Sequence, residues 1–324
     1  MEYRRLGRAG AKVSEISLGT WLTYGKTVEK DAAKECFKTA FEHGINFFDT
    51  ADIYATGESE KVVGEILKDF TRSDIFLGTK VYFPMSKKPN DRGLSRKHII
   101  ESCENSLKRL GTDYIDLYQC HRYDTETELE EVISTMDDLV KQGKVLYWGV
   151  SQWSAIQICD AVHLSKYHNK NKPMSNQPVY NMLNRSLEVD VMDLCHREGM
   201  GLVVWSPLAE GVLTGKYSGG KVPQDSRAAN DQSNMFIKSR LSSDKLEKVD
   251  KLMPIAQELG LNMAQLALAW CLRRKELSSV IIGASKPEQV IDNVKASGVK
   301  IPDDILAKIE LILDNAPREQ YSDY

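Results

Sequence analysis

The sequence lacks the features that mark several classes of protein. No apolar run reaches about 18 residues, so no segment predicts a membrane-spanning helix, and the first residues show no apolar stretch typical of a signal peptide. No single-sign block of five or more charged residues occurs and the formal net charge is -3, so nucleic acid is not an expected partner. These absences argue against membrane proteins and nucleic-acid-binding proteins.

Cysteines at redox or metal-binding spacing are also missing. The chain has six cysteines, none of them in a Cys-x-x-Cys pair, and most lie inside apolar periodic segments. This placement is typical of buried free thiols in a reducing compartment, so the cytoplasm is the expected location and no metal site is expected. The six are Cys36, Cys103, Cys120, Cys159, Cys195 and Cys271.

The Gly-x-Gly-x-x-Gly turn that follows the first strand of an open dinucleotide-binding sheet is absent. Instead, short β-branched runs alternate eight times with amphipathic helical stretches. The 324 residues, 42% of them hydrophobic, fit one (β/α)8 TIM barrel, an α/β fold, as a single domain over residues 1–324. An open sheet with a changed glycine motif is the alternative. The predicted strands are 15–18, 46–48, 75–80, 115–120, 145–151, 176–179, 202–205 and 279–282.

Glycines and serines mark the expected ends of the helices. Five glycines follow helical periodicity, where a left-handed cap favours glycine, and two serines precede helices as N-cap candidates. The glycines are Gly44, Gly111, Gly143, Gly199 and Gly260, and the serines are Ser95 and Ser285.

Two connections, 81–94 and 206–243, are longer than ordinary βα loops. Both follow predicted strands, so both are expected at the C-terminal face of the barrel, where barrel enzymes hold their active sites. Their aromatic and basic residues indicate that they form walls of a substrate site or a strap that covers a cofactor. Such residues are less typical of disordered insertions.

Four chemically distinct side chains lie at or near the ends of consecutive predicted strands. Asp49 ends the second strand, Tyr54 follows five residues later, Lys80 ends the third strand and His121 comes at the end of the fourth. Because these strand ends meet at one mouth of a barrel, we expect the four residues, named here the strand-end tetrad, to lie together. Each residue alone is more typical of a structural role than of catalysis.

The residue types suit proton donation to a carbonyl oxygen as a hydride reaches its carbon. A phenol with a pKa of about 10 is a weak acid, and a neighbouring ammonium is expected to lower the pKa of Tyr54. A buried ammonium needs a carboxylate partner, so Lys80 and Asp49 are predicted to pair. His121 would donate the hydrogen bond that directs the carbonyl oxygen towards Tyr54. The pattern predicts a carbonyl reductase.

Short motifs occur along the chain, and a first set comprises 49–54 (DTADIY), 78–80 (GTK), His121, 147–151 (YWGVS), 205–209 (WSPLA) and 282–285 (IGAS). Through this set the chain resembles the aldo-keto reductases over essentially its whole length. A second set comprises 19–21 (GTW), 92–100 (RGLSRKHII) and 269–273 (AWCLR). Through it the chain is most similar, within that family, to the branch that contains the voltage-gated potassium channel β subunits. Those subunits tend to carry asparagine at the position of His121 and often have an N-terminal extension, and both differences favour a free-standing reductase over a channel partner.

The resemblance implies NADPH as the cofactor, with NADH less favoured, and transfer of the 4-pro-R hydride. Trp205 is implied to stack on the nicotinamide ring, and the loop that follows it to strap the pyrophosphate. A helix N-terminus at Ser285 and Lys286 suits the 2′-phosphate. The full implied set is Gly19, Thr20, Trp21, Asp49, Ser151, Gln152, Gln177, Trp205, Ser206, Pro207, Leu208, Ala209, Gly211, Lys216, Arg227, Gly283, Ser285, Lys286, Gln289, Asp292 and Asn293, in which Ser151, Gln152 and Gln177 hydrogen-bond the carboxamide and Gln289, Asp292 and Asn293 contact the adenine.

Aromatic residues after several strands predict a substrate pocket for small or aromatic aldehydes and ketones. Two other functions stay open: a nicotinamide-binding regulatory protein, similar to the channel β subunits and with little turnover, and a phosphate-binding isomerase or lyase with a Schiff base on Lys80. A homo-oligomer also stays open. The pocket residues are Trp21, Tyr54, Tyr82, Phe83, His121 and Trp153.

Overall fold

Parallel strands close into a barrel in a computed structural model, which describes residues 1–21, 30–224, 226–229, 237 and 241–317. In this described part, eight strands follow one another around the barrel in chain order, and the last strand pairs with both the first and the seventh. The predicted (β/α)8 barrel is therefore confirmed. The barrel strands are β3 (Ile16–Gly19), β4 (Phe47–Asp49), β5 (Phe76–Val81), β6 (Ile115–Cys120), β7 (Val145–Val150), β8 (Ser175–Asn176), β9 (Gly201–Val204) and β10 (Leu277–Ile282), preceded by β1 (Tyr3–Arg5) and β2 (Lys12–Ser14).

Helices connect the strands and cover the outside of the barrel. Their ends largely follow the sequence signals: the Ser95 side chain accepts a hydrogen bond from the His98 backbone N–H, and all five predicted cap glycines have positive φ. The described helices are α1 (Lys30–Glu42), α2 (Glu58–Leu67), α3 (Arg96–Leu110), α4 (Leu129–Lys141), α5 (Ala155–Tyr167), α6 (Val191–Glu198), α7 (Ser243–Glu258), α8 (Met263–Leu272), α9 (Pro287–Asn293) and α10 (Asp303–Leu313).

One predicted cap is wrong. The N-cap of α9 is Lys286 rather than Ser285. Ser285 therefore lies one residue before the N-cap, and its backbone N–H donates to Gln289 Oε1 at 2.8 Å.

The inside of the barrel changes character along its axis. Apolar side chains fill the N-terminal half, where the ring of Phe47 packs edge-on against Phe76 with centroids 5.1 Å apart. Leu6 and Val13 of the N-terminal β1–β2 hairpin join the same cluster, so this hairpin, which the sequence did not predict, packs on that end of the core. The polar tetrad therefore occupies the opposite, C-terminal end.

Among the described residues, no helix has the length and apolarity that would be needed to cross a membrane. All six cysteines are free, and all except Cys159 are buried, as the sequence predicted.

Candidate active site

The tetrad assembles because neighbouring strands end at the same level. Asp49 is the last residue of β4, and Lys80 is the penultimate residue of β5. His121 follows β6 directly, and its backbone N–H donates to the Val81 carbonyl at 2.9 Å, which ties it to β5. Tyr54 lies in the turn after β4. The structure thus brings together all four residues that the sequence predicted.

Lys80 links the carboxylate to the phenol. Its side chain is fully buried, and its ammonium donates to Asp49 Oδ2 at 2.5 Å, to the Thr50 carbonyl at 2.7 Å and to Tyr54 Oη at 3.3 Å. An ammonium has three N–H donors, so all of them have acceptors here. Because Tyr54 Oη accepts from Lys80, the phenolic proton itself stays available for donation to another acceptor.

The electrostatic balance at Tyr54 differs from the prediction. Burial is the largest influence and raises the pKa of the phenol, while the Lys80 ammonium lowers it, and the net pKa lies above its ordinary value. The expectation of a lowered pKa is wrong for this structure because burial outweighs the ammonium. The pKa of Lys80 is raised: burial lowers it, but Asp49 and Tyr54 more than offset that effect. Tyr54 is therefore a protonated phenol beside a stable cation.

His121 stands between two aromatic rings. Its imidazole packs edge-on against Tyr54 and Phe83, with ring centroids 5.9 and 4.9 Å away. Burial, Lys80 and Arg122 hold the pKa of His121 well below its ordinary range, so the ring is neutral. Its buried Nδ1 has no hydrogen-bond partner in the described part of the chain. A neutral imidazole retains one N–H donor, which suits the orientation of an uncharged carbonyl oxygen.

The turn that carries Tyr54 is strained. Ala55 and Thr56, the next two residues, have φ of 49° and 54°, in the left-handed region that residues with a Cβ rarely adopt. The turn is held at both sides: the Tyr54 backbone N–H donates to Ala51, and the Asp52 N–H donates to the Lys80 carbonyl at 3.3 Å. These bonds fix the phenol relative to the strand that carries its ammonium partner.

The predicted carboxamide ligands lie next to the tetrad. Gln177 Nε2 donates to Asp49 Oδ1 at 2.9 Å, a contact that the sequence did not predict. Ser151 is buried, and its hydroxyl donates to the Gln177 carbonyl. Gln152 follows with φ of 58°, and its Oε1 accepts from the Val179 N–H. The ends of β7 and β8 therefore gather amide and hydroxyl groups beside Asp49.

The predicted strap begins with a run of left-handed residues. Ser206, Ala209 and Glu210 have φ of 58°, 48° and 55°, and Gly211 has φ of 97°. A Cβ on Gly211 would lie 3.0 Å from Lys216 Cε, so the glycine allows the lysine chain to cross the loop. Backbone runs that include left-handed residues are typical of anion-binding loops, although the N–H groups of Ala209, Gly211 and Leu213 donate within the loop in this structure. The side chain of Arg227 lies outside the described residues.

Other predicted cofactor residues lie at or after the ends of β3, β9 and β10 or on α9. Trp205 follows β9 with a half-buried ring, and Thr20 is buried behind the tetrad, where it accepts from Ser59. Gly19 leaves room for Ile281, since a Cβ there would lie 2.6 Å from the isoleucine methyl group. Towards α9, Asn293 is buried and Asp292 accepts from Gln265 Nε2 at 2.9 Å. Trp21, Pro207, Leu208, Gly283, Ser285, Lys286 and Gln289 complete the predicted set on these segments.

The residues predicted to form the walls of the substrate pocket fall into two groups. Tyr82 and Phe83 pack edge-on against each other at 5.2 Å, and Phe83 contacts His121, so these aromatic rings do lie at the mouth. Trp153 is instead buried, and its ring packs against Tyr123 at 4.8 Å as part of the outer core. Sequence reasoning also missed Arg122, whose guanidinium lies over the Phe83 ring.

A model described as "Aldo/keto reductase family" matches residues 15–314. The chain belongs to this family, as its sequence motifs indicated.

Curated relatives align along almost the entire chain. A probable voltage-gated potassium channel subunit beta of Oryza sativa subsp. japonica is 41% identical over 327 residues, which cover 99% of each chain. A protein of Arabidopsis thaliana with the same description is 42% identical over 327 residues, with 99% of each chain covered. A putative voltage-gated potassium channel subunit beta of Schizosaccharomyces pombe is 44% identical over 326 residues, which cover 98% of this chain and 94% of the relative. The predicted resemblance to this branch is confirmed.

Proposed function

We propose that this protein is an NADPH-dependent reductase that converts aldehydes or ketones to alcohols, with Tyr54 as the proton donor. The observation that carries the proposal is the buried ammonium of Lys80, which contacts both Asp49 and the Tyr54 oxygen. In this arrangement the phenolic hydrogen of Tyr54 stays available for donation to the carbonyl oxygen of a substrate. A structural ion pair would not require the phenol.

The residues around the mouth fit a nicotinamide dinucleotide. Trp205 offers a half-buried aromatic face for the nicotinamide ring, Gln177 offers an amide group beside Asp49, and the exposed amide of Gln152 lies at Val179. The left-handed loop after β9 and Lys216, which makes no ion pair with a described carboxylate, suit a pyrophosphate. We propose that Lys286, at the N-cap of α9, binds the 2′-phosphate and favours NADPH over NADH.

A dihydronicotinamide held at Trp205 and Gln177 would supply a hydride for the carbonyl carbon. The protein's part is to hold and protonate the carbonyl oxygen. The neutral imidazole of His121 orients that oxygen through an N–H, and the rings of Tyr54 and Phe83 pack against it. Tyr54 then transfers its phenolic proton, and Lys80, paired with Asp49, stabilises the phenolate that remains. The cost of forming a buried phenolate is thereby offset at the moment of reaction.

The same contacts disfavour a Schiff-base enzyme. A nucleophilic amine needs a depressed pKa, whereas the pKa of Lys80 is raised and all its N–H groups have acceptors.

The experiment is a steady-state assay of NADPH consumption with 4-nitrobenzaldehyde. Wild-type protein is expected to form the alcohol, and Tyr54→Phe to form none while it still binds NADPH. Tyr114→Phe is the matched control, since that phenol lies under Arg72, away from the tetrad. Absence of alcohol with the wild type would refute the proposal.

A second candidate function follows from the names of the relatives, which describe potassium channel β subunits. In this alternative, the protein binds the cofactor tightly and regulates a channel with little turnover. His121 favours the reductase, because an imidazole N–H beside Tyr54 serves carbonyl chemistry. Tight NADPH binding without reduction of any activated aldehyde would favour the regulatory function instead.

A further inference from the structure

The guanidinium of Arg122 lies beside the tetrad, and no carboxylate of the described residues forms an ion pair with it. The residue follows His121 directly, and its Cζ lies 5.4 Å from the centre of the Phe83 ring. Its one hydrogen bond within the described part of the chain runs from Nη1 to the carbonyl oxygen of His121, at 2.5 Å. A guanidinium has five N–H donors, so most of its hydrogen-bonding capacity is unused.

This isolation is unusual for the chain. Arg122 is half-buried, and each of the other described arginines that is at least partly buried forms an ion pair with a carboxylate. Removing such a cation from water without a counter-ion is unfavourable, which explains why the others are paired. The paired arginines are Arg4, Arg72, Arg109, Arg185, Arg273 and Arg274.

The nearest carboxylate in sequence is already engaged. Asp124, two residues further on, accepts from the Leu94 backbone N–H at 2.7 Å and from the Thr127 hydroxyl at 2.8 Å. Burial lowers the pKa of Arg122 below its ordinary value, and the phenols of Tyr54 and Tyr82 offset part of that effect. The cation thus faces the reaction site and the aromatic wall rather than an acidic side chain.

We propose that Arg122 binds a carboxylate of the substrate, and that the preferred substrates are therefore carbonyl compounds that also carry a carboxylate group. A planar guanidinium matches a planar carboxylate through two parallel hydrogen bonds. Phe83 supports the guanidinium from one side, and a substrate aromatic or aliphatic body lies between Arg122 and Tyr54. The proposal rests on the proposed reductase function.

The test compares two aldehydes of nearly equal shape and different charge, 4-formylbenzoate and 4-nitrobenzaldehyde. The readout is the ratio of their kcat/KM values, in which any general change in activity cancels. Arg122→Met is expected to lower this ratio at least about tenfold. Arg122→Lys is expected to lower it less, because lysine keeps the positive charge but cannot form the two parallel hydrogen bonds of a guanidinium. Arg197→Met, which removes an exposed arginine of α6, is the matched control and leaves the ratio unchanged.

Two measurements on the wild type keep the proposal testable if Arg122→Met does not fold. The ratio is expected to fall as salt is added, because the charge interaction is screened. Calorimetry is expected to detect binding of 4-(hydroxymethyl)benzoate in preference to 4-nitrobenzyl alcohol, whether or not turnover occurs. A salt-independent ratio or equal binding of the two alcohols would contradict the assignment.

The outcomes separate the two proposals. If the wild type reduces 4-nitrobenzaldehyde but Arg122→Met leaves the ratio unchanged, Arg122 acts only on Tyr54 or Phe83, and the inference is overturned while the reductase function stands. If neither aldehyde is reduced, the reductase function fails, and the calorimetric comparison of the two alcohols decides whether the carboxylate site exists: preference for 4-(hydroxymethyl)benzoate supports it, and equal binding overturns it.

Discussion

Replacing Lys80 by methionine is expected to destabilise the fold and to abolish turnover at the same time. The side chains of Lys80 and Asp49 are 0% and 4% exposed, and their charged atoms are 2.5 Å apart. Methionine keeps most of the volume but leaves the Asp49 carboxylate buried, with only the Gln177 amide as a side-chain donor. Removing one partner of a buried pair costs about 3–5 kcal/mol, because the remaining charge has no counter-ion.

Adding Asp49→Asn to Lys80→Met distinguishes the effect on stability from the effect on catalysis. Asp49→Asn in the same chain removes the remaining charge and keeps an acceptor for Gln177. We therefore expect Lys80→Met/Asp49→Asn to be more stable than Lys80→Met by about 2 kcal/mol or more, while both stay inactive. Urea unfolding followed by circular dichroism measures the stability, and NADPH consumption measures the activity. If Lys80→Met were as stable as the wild type, or if the second substitution destabilised it further, the buried pair would not have the energetic role argued here.

Three further predictions concern single residues of the site. Tyr54→Phe is expected to lose turnover while its NADPH affinity, measured by fluorescence titration, changes little; a parallel loss of both would indicate a structural tyrosine. Burial and the nearby Glu60 carboxylate raise the pKa of Asp52 from 3.8 to about 7, so stability is lost as the pH rises from about 4 to about 7, by up to about 4 kcal/mol. Asp52→Asn is therefore expected to be more stable than the wild type at pH 8 and to lose this advantage at pH 5, as urea unfolding at both values would reveal; an advantage independent of pH would contradict the assignment. The His121 ring is expected to stay neutral between about pH 6 and 8, so its NMR signals should not titrate there, and a titration in that range would exclude a neutral donor.

The sequence predicted the barrel and the tetrad because both depend on local patterns. An apolar strand that ends in a polar residue can be recognised from its own sequence, without knowledge of the neighbouring strands. A closed parallel barrel then brings the C-terminal ends of its strands to one face. Asp49, Lys80 and His121 were found in this way. The strand β8 is only two residues long, Ser175–Asn176, and it overlaps the predicted strand 176–179 at Asn176 alone.

Features that depend on three-dimensional surroundings could not be predicted. The pKa of Tyr54 follows from how completely the turn is buried, and this burial comes from packing between distant segments. Trp153 follows a strand like the other aromatic wall residues, but Tyr123 covers it in the outer core. Arg122 is an ordinary arginine in the sequence, and the three-dimensional contacts reveal that Asp124, two residues further on, is engaged with Leu94 and Thr127. The sequence did not predict the β1–β2 hairpin because each of its two strands has only three residues.

The central claim is that a hydride reaches a carbonyl carbon beside the Tyr54 phenol. It is tested most directly by incubating the purified protein with 4-nitrobenzaldehyde and NADPH that carries deuterium in the 4-pro-R position, followed by mass spectrometry of the alcohol. The account predicts one deuterium on the alcohol carbon with the wild type and none with Tyr54→Phe, because that variant forms no alcohol. Alcohol without deuterium from the wild type, or deuterated alcohol from Tyr54→Phe at the wild-type rate, would contradict it.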